Sequence, residues 1–420
     1  MKALFAVILI TTISVSNAFA QDSTKVISKK EARQIKKSAP PQKGDIYVIA
    51  APTIGYNPTN GFMYGLGGSA SFFLGEPVTT SISSALVNFS LTTKHQLLFT
   101  ARSTFYAKNN EWILNGDWRY LNSSQPTYGL GTGPSSSKLA SNGFEIEDGV
   151  FSKPINDAQL MEFTQIRIYE TVYKEIKENF YLGLGYHLDV FTDIKDNLLD
   201  TTAVPPVITG YYMYNEKYGF SQQKNILSGL SANAIYDTRD NQNNAYKGQY
   251  ANVTFRVNPE FLGSDKNSST LWMEYRKFLD LTKNHHNMLC FWGIGNFTTS
   301  GNLPVLDLPA IGEDQYGKSG RGYTQGRFRG QEMIYGEVEY RKHLLASKKN
   351  PDFFGMVVFV NAVTATNKDA DINLFEYVNI GAGAGIRVMI SNKSRSSIGI
   401  DYGWGNYGSG GLYFRLNEAF

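Results

Sequence analysis

The residues best grouped for chemistry lie in one loop and the strand after it. Residues 312–330 read GEDQYGKSGRGYTQGRFRG, with Arg321, Arg327 and Arg329 set among closely spaced glycines. In the strand pattern that follows, Glu337 and Glu339 share a face with Arg341, opposite Ile334, Gly336, Val338 and Tyr340. A guanidinium facing such carboxylates makes short, charge-assisted and often bidentate hydrogen bonds. Glycines around the tip Gly320-Arg321-Gly322-Tyr323 permit the tight turn that would fold it back onto them. The alternative is an ordinary solvated loop with its arginines in water, and the residues alone leave both open.

Other reactive groups are sparse. Of the histidines (His95, His187, His285, His286, His343), only His187 lies deep in a strand pattern, inward with Asp189. No serine motif is placed to complete a nucleophilic triad with it, so no enzyme is expected. Asn367, Asp369, Asp371 and Asn373 alternate as calcium ligands do, but the glycine and closing glutamate of such a loop are missing. Solvated acids are the expectation, with neither metal nor cofactor. Cys290, the one cysteine, shares parity with Met288, Trp292 and Ile294 and is expected on the apolar outer surface. It cannot supply a disulfide framework. Basic and acidic residues nearly balance, 40 against 37, which argues against a nucleic-acid partner.

The elements that must position these residues alternate with period two. Ile380, Ala382, Ala384, Ile386, Val388 and Ile390 oppose Asn379, Gly381, Gly383, Gly385, Arg387 and Met389; Ile398, Ile400, Tyr402 and Trp404 then oppose Gly399, Asp401 and Gly403. Such strands have one apolar and one polar face. With 14% aromatic residues, 40 glycines and only 18% charged residues, the composition is that of a membrane barrel, apolar outside and polar within. Met1-Lys2, the apolar run 3–13 and Ala18-Phe19-Ala20 read as a secretory signal peptide over 1–20. A short basic periplasmic tail is expected over 21–44, solvated rather than helical, and the barrel over 45–420.

The pattern predicts an all-β fold: a transmembrane antiparallel β-barrel of about sixteen strands, monomeric and surrounded by outer-membrane lipid. Strand cores fall near 46–56, 61–73, 80–91, 96–106, 112–121, 160–172, 179–190, 226–236, 248–257, 269–279, 287–297, 331–342, 354–364, 378–390, 396–404 and 410–418. The long connections, 122–159, 191–225, 298–330 and 365–377, all follow odd-numbered strands. Long loops at one end and short turns at the other are the outer-membrane pattern, the short end being periplasmic. Glu170 alone breaks the parity, on the lipid side with Ile166 and Ile168, and is expected near the headgroups.

Three stretches resemble the barrel of the BamA/TamA superfamily, the bacterial surface antigens. They are Tyr236-Asp237-Thr238-Arg239-Asp240-Asn241 with Gly248, the loop tip Gly320-Arg321-Gly322-Tyr323, and Glu339-Tyr340-Arg341. The resemblance implies that the tip folds into the lumen, where Arg321 meets Glu339 and Asn361; Asn361 stands where the family often has an aspartate, so a weaker clamp is implied. The family's POTRA domains would not fit in the 24 residues of 21–44, so a short member is expected. The resemblance further implies a barrel that assists insertion or translocation of proteins or other envelope components, with unfolded barrel clients or a periplasmic partner. The mechanism implied is opening of a seam between 46–56 and 410–418, weakened at Gly408, Gly410 and Gly411. A passive pore and a membrane anchor for a periplasmic partner are the rival readings.

Overall fold

The computed structural model describes residues 42–57, 61–133, 145–147, 150–151, 158–315, 317–347, 350–392 and 395–420. The signal-peptide reading and all but the end of the basic tail lie outside these residues. The polypeptide forms a sixteen-stranded antiparallel sheet in simple meander order. Its strands are β1 (Ile46–Asn57), β2 (Gly61–Phe72), β3 (Ser83–Thr92), β4 (Leu97–Tyr106), β5 (Trp112–Thr127), β8 (Gln159–Lys177), β9 (Phe180–Asp196), β10 (Asn225–Asp237) and β11 (Gly248–Asn258). They continue as β12 (Ser268–Asp280), β13 (Asn287–Gly301), β14 (Glu332–Ser347), β15 (Asn350–Ala365), β16 (Asn379–Ser391), β17 (Ser396–Trp404) and β18 (Gly410–Leu416). A small separate hairpin, β6 (Glu145–Glu147) with β7 (Val150–Phe151), lies in the β5–β8 connection. Among the described residues no helix is long and apolar enough to cross a membrane.

Side-chain alternation sets which way each strand faces. Val253, Phe255 and Val257 are exposed on the outer wall, whereas Arg256 is buried inside. The same holds for Val338 against Glu337, Glu339 and Arg341. Apolar groups outside and paired charges inside invert the soluble pattern, as a wall facing hydrocarbon requires. The sheet comes round so that β1 lies beside β18. Every other neighbouring pair is hydrogen-bonded, but no backbone ladder joins β1 to β18 among the described residues.

Several expectations need correction. Strands β5, β8 and β9 run to 16, 19 and 17 residues, well past the ten or so read from the sequence. Their added residues pair with one another beyond the membrane-length stretch. The 191–225 connection contains a helix, α1 (Gly210–Tyr218), with Thr209 as its N-cap and Gly219 in the left-handed conformation at its end. Cys290 is buried on the inner face, because its strand register places it opposite Glu339. Met288, Trp292 and Ile294 go inward with it, to pack against Ile311, Tyr323, Phe328 and Phe420. An apolar stripe thus faces the lumen where the lumen is filled. Glu170 is outward but pairs with Gly116 and Tyr186, which lie midway along the outward apolar runs Trp112–Tyr120 and Leu182–Val190. That depth is inside the apolar band rather than at its edge. Finally, β18 stops at Leu416, and Asn417, with φ of 64°, turns the chain inward.

Candidate functional site

The 302–331 connection leaves β13, enters the lumen and returns as β14. Three arginines hold it. Arg329 donates to the carbonyls of Val305, Leu306 and Leu308 at 2.9–3.1 Å and pairs with Glu313 at 2.6 Å, so it fastens the loop to itself. Arg327 lies over the rings of Tyr128 and Tyr407 at 4.3 and 5.0 Å. Arg321 reaches the wall. Its guanidinium donates to Glu337, to Glu339 at 2.5 Å and to Asp401 at 3.0 Å, with all four side chains wholly buried. The Phe359 ring lies 3.5 Å beneath the guanidinium. Burial alone would make Arg321 less basic, but Glu337, Glu339 and Asp401 outweigh it and hold its pKa above the ordinary arginine value.

Asn361 donates from Nδ2 to the Arg321 carbonyl at 2.8 Å, so it fixes the backbone of the tip instead of accepting from the guanidinium. The third carboxylate, Asp401, lies on β17, a strand the sequence reading did not connect to the loop. Its signal was a lone acid on the inner stripe Gly399-Asp401-Gly403. Gly403 of this stripe and Gly381 of β16 make the seat. A Cβ at Gly403 would lie 2.6 Å from the Gly322 amide nitrogen, and one at Gly381 would lie 3.0 Å from the Arg321 carbonyl. Gly322 itself has φ of 101° and passes against the Trp404 backbone, so a side chain there meets both strain and contact. Tyr323 donates to the Ile380 carbonyl at 2.5 Å, and Tyr413 bridges Gly322 N and Tyr323 O at 3.0 and 2.9 Å.

The charged ring extends to the chain beyond β18. Arg387 pairs with Asp401 at 2.5 Å and Glu418 at 2.7 Å; Arg341 pairs with Glu339 at 2.6 Å and donates to the Phe420 carbonyl at 3.0 Å. Lys318 of the loop donates to the Glu418 carbonyl at 2.5 Å. Burial, helped by Arg415 and Arg276, pulls the Lys318 pKa down to about 7.

The Asp237–Gly248 motif lies elsewhere, at the short-turn end. Arg239 pairs with Asp237 at 2.8 Å, and Asp240 accepts from the Tyr246 amide and pairs with Arg395 at 2.8 Å. Gly248 has φ of 97° and abuts the Thr238 backbone. The structure therefore does not bring this motif to Arg321. His187 meets Ser231 Oγ at 2.8 Å, a pair the sequence reading did not see. Asp189 is taken by Arg167, Arg256 and Tyr169, so it orients no nucleophile. Asp369 pairs with Lys217 at 2.6 Å, and the described residues hold no metal-binding group of acids or histidines.

The fold has solved counterparts. BamA from Haemophilus ducreyi lacking POTRA domains 1–3 superposes with a TM-score of 0.55 at 16% identity, over 90% of this chain and 70% of that one. CdiB from Escherichia coli gives 0.53 at 11% identity, over 90% and 63% of the two chains. CdiB from Acinetobacter baumannii gives 0.51 at 12% identity, over 89% and 59%, so the chain spans about 60% of the CdiB lengths. No curated protein matches by sequence. BamA and CdiB belong to a group of outer-membrane barrels that are not enzymes. The model of the Omp85 superfamily domain matches residues 84–420, four-fifths of the sequence, and the chain accordingly belongs to the Omp85 superfamily of outer-membrane β-barrels.

Proposed function

We propose that this barrel assists insertion or translocation of proteins or other envelope components, and that it does so at the β1–β18 seam. The observation that carries the reading is the absence of a backbone ladder between these strands among the described residues, when all other neighbours are paired. Unpaired N–H and C=O groups on such an edge are a template for an incoming strand. Lipid beside an open edge is also perturbed, which allows a client other than a protein. The filled lumen disfavours a passive pore. Arg321, Phe328 and Arg329 are buried within it, and the loop touches opposite walls through Arg119 to the Gln315 carbonyl and Gln125 to Glu313.

Depletion of the protein followed by quantitative proteomics of the outer membrane tests the reading. Selective loss of other outer-membrane proteins, or of a surface component they carry, is the expected result. An unchanged envelope in depleted cells, together with steady, large conductance steps from the purified barrel, would replace it with the pore.

A further inference from the structure

Arg119 of β5 and Arg167 of β8 lie directly opposite each other in the strand pairing, both on the inner face. Like charges set across from each other in a sheet repel. Arg119 donates from Nε and Nη2 to Asp117 at 2.9 and 2.5 Å, and Nη2 also reaches the Gln315 carbonyl of the loop at 2.7 Å. Arg167 donates only from Nε, to Asp189 at 2.6 Å. Among the described residues its Nη1 and Nη2 donate to nothing, and 12% of its side chain is open to the lumen.

The surroundings do not supply the missing acceptor. The register row through the two arginines continues to Thr100, Asn88 and Gly67, all uncharged. Strands β1–β4 contain no aspartate or glutamate. Asp117 and Asp189 therefore serve four arginines, Arg102, Arg119, Arg167 and Arg256. On the loop, Glu313 is taken by Arg329 and Gln125. Asp307 is within electrostatic reach of Arg256 and Arg167, but its Oδ2 is buried without a partner, and loss of water raises its pKa well above the usual carboxylate range. The arginines also face open space. Ile49, on the inner face in the register row of Arg102, is 48% exposed, and Gln315 is exposed beside Arg119. The loop crosses on the long-loop side, through Gln125 to Glu313, so the space is an alcove beneath it.

We propose that Arg119 and Arg167 form a binding site for phosphate, either free or as a monoester on a larger envelope component. A guanidinium fork grips two oxygens of an oxyanion at once. Two forks facing each other ask for more oxygens than one carboxylate offers, and a phosphate monoester presents three strong acceptors. Its charge also cancels the repulsion between the pair. The site is separate from the β1–β18 seam and does not rest on the seam reading.

Thermal unfolding of the full chain in phosphatidylcholine nanodiscs, with inorganic phosphate titrated against chloride at constant ionic strength, tests this. Phosphate is expected to raise the midpoint saturably where chloride does not. Arg167→Gln leaves Asp189 its bonds from Arg256 and Tyr169, and a compact, heat-modifiable gel band shows that the variant has folded. It should weaken the apparent phosphate affinity by about tenfold or more. Arg119→Gln serves as a second variant, and Arg239→Gln, which removes a guanidinium at the short-turn end, should leave the affinity unchanged. Nanodiscs containing phosphatidic acid separate the two sources of the group. A barrel already stabilised there, with a blunted response to added phosphate, assigns a lipid headgroup; an undiminished response assigns a soluble phosphate. No phosphate-specific rise in the native barrel, or an equal affinity in Arg167→Gln, would overturn the proposal and leave an adventitious ion only. Neither of those results touches the seam reading.

Discussion

Two hubs of arginine and carboxylate lie within one lumen and are built in opposite senses. At the first, a single arginine from a loop, Arg321, meets three carboxylates from two strands, Glu337 and Glu339 on β14 and Asp401 on β17. At the second, a single carboxylate, Asp189 on β9, meets Arg167 of β8 at 2.6 Å and Arg256 of β11 at 3.0 Å, with the Tyr169 hydroxyl at 2.5 Å. All members of the second hub are on strands, so it ties the wall to itself. The first ties a movable element to the wall. Chemistry that is nearly identical therefore does different mechanical work, depending on whether the central charge rides on a loop.

Removing the central group separates the two. Arg321→Ala leaves Glu337 with only Tyr335 and Asn361 as buried donors and costs about 3–5 kcal/mol. The loop is expected to leave its seat, so the purified variant should unfold at lower temperature and show larger, flickering conductance in planar bilayers. Arg321→Lys should recover little, since an ammonium cannot span three carboxylates as the planar fork does. Asp189→Asn is the matched change at the other hub. Arg256 keeps its bonds to the His187 and Leu227 carbonyls, so the cost is smaller, about 2 kcal/mol. Thermal stability falls but conductance stays at the native level. If Asp189→Asn also opened the lumen, the distinction between wall ties and loop ties would fail.

Much of the first hub was legible because strand parity is unforgiving. A shift of one residue reverses every side chain, so Glu337 and Glu339 had to be inward once Val338 and Tyr340 were outward. The inner glycines of β16 and β17 could be read as polar-face residues, but not as a seat, because space vacated by missing side chains has no pattern of its own. Asp401 was visible as an inward acid, while its partner was 80 residues away in sequence. Cys290 was misplaced for a related reason. Apolar parity marks the lipid face only when the lumen is wet, and Phe328 and Phe420 make this part dry. The second hub was hidden in strands whose inward arginines and acid could be listed by parity, but pairing them required the register.

The loop's second anchor gives the comparison a pH dependence that the wall hub lacks. Lys318 titrates near 7 when seated, against about 10.4 for a free lysine. Below pH 7 both the seated and released loops carry the proton, and the seated loop bears the full penalty of a buried charge. Between these values the released loop binds more protons, so raising the pH favours the seat. With partial exposure allowed for, the gain is about 2 kcal/mol. Flickering in bilayers is expected to diminish from pH 6 to pH 9 in the native barrel, and Lys318→Met should flatten that trend. A native barrel whose flicker is the same at both values would show that Lys318 is not part of what holds the loop.

Glu170 supplies the smallest effect and the sharpest contrast, since it is a carboxylate with no arginine at all. It lies on the outer wall, and among the described residues its one hydrogen-bond donor is the Trp118 indole at 2.7 Å. Facing hydrocarbon at mid-depth costs an acid about 1–2 kcal/mol, less than it costs a lysine or arginine. Glu170→Leu is therefore expected to stabilise the barrel in lipid nanodiscs by about 1 kcal/mol. The same exchange at Glu337, where the carboxylate answers a buried guanidinium, should destabilise it by about 3 kcal/mol. The sign of each change follows from the partner and not from the residue type. If Glu170→Leu also lowers stability in plain lipid, the outer carboxylate is held by something beyond the Trp118 indole, and its placement in the apolar band would have to be revised.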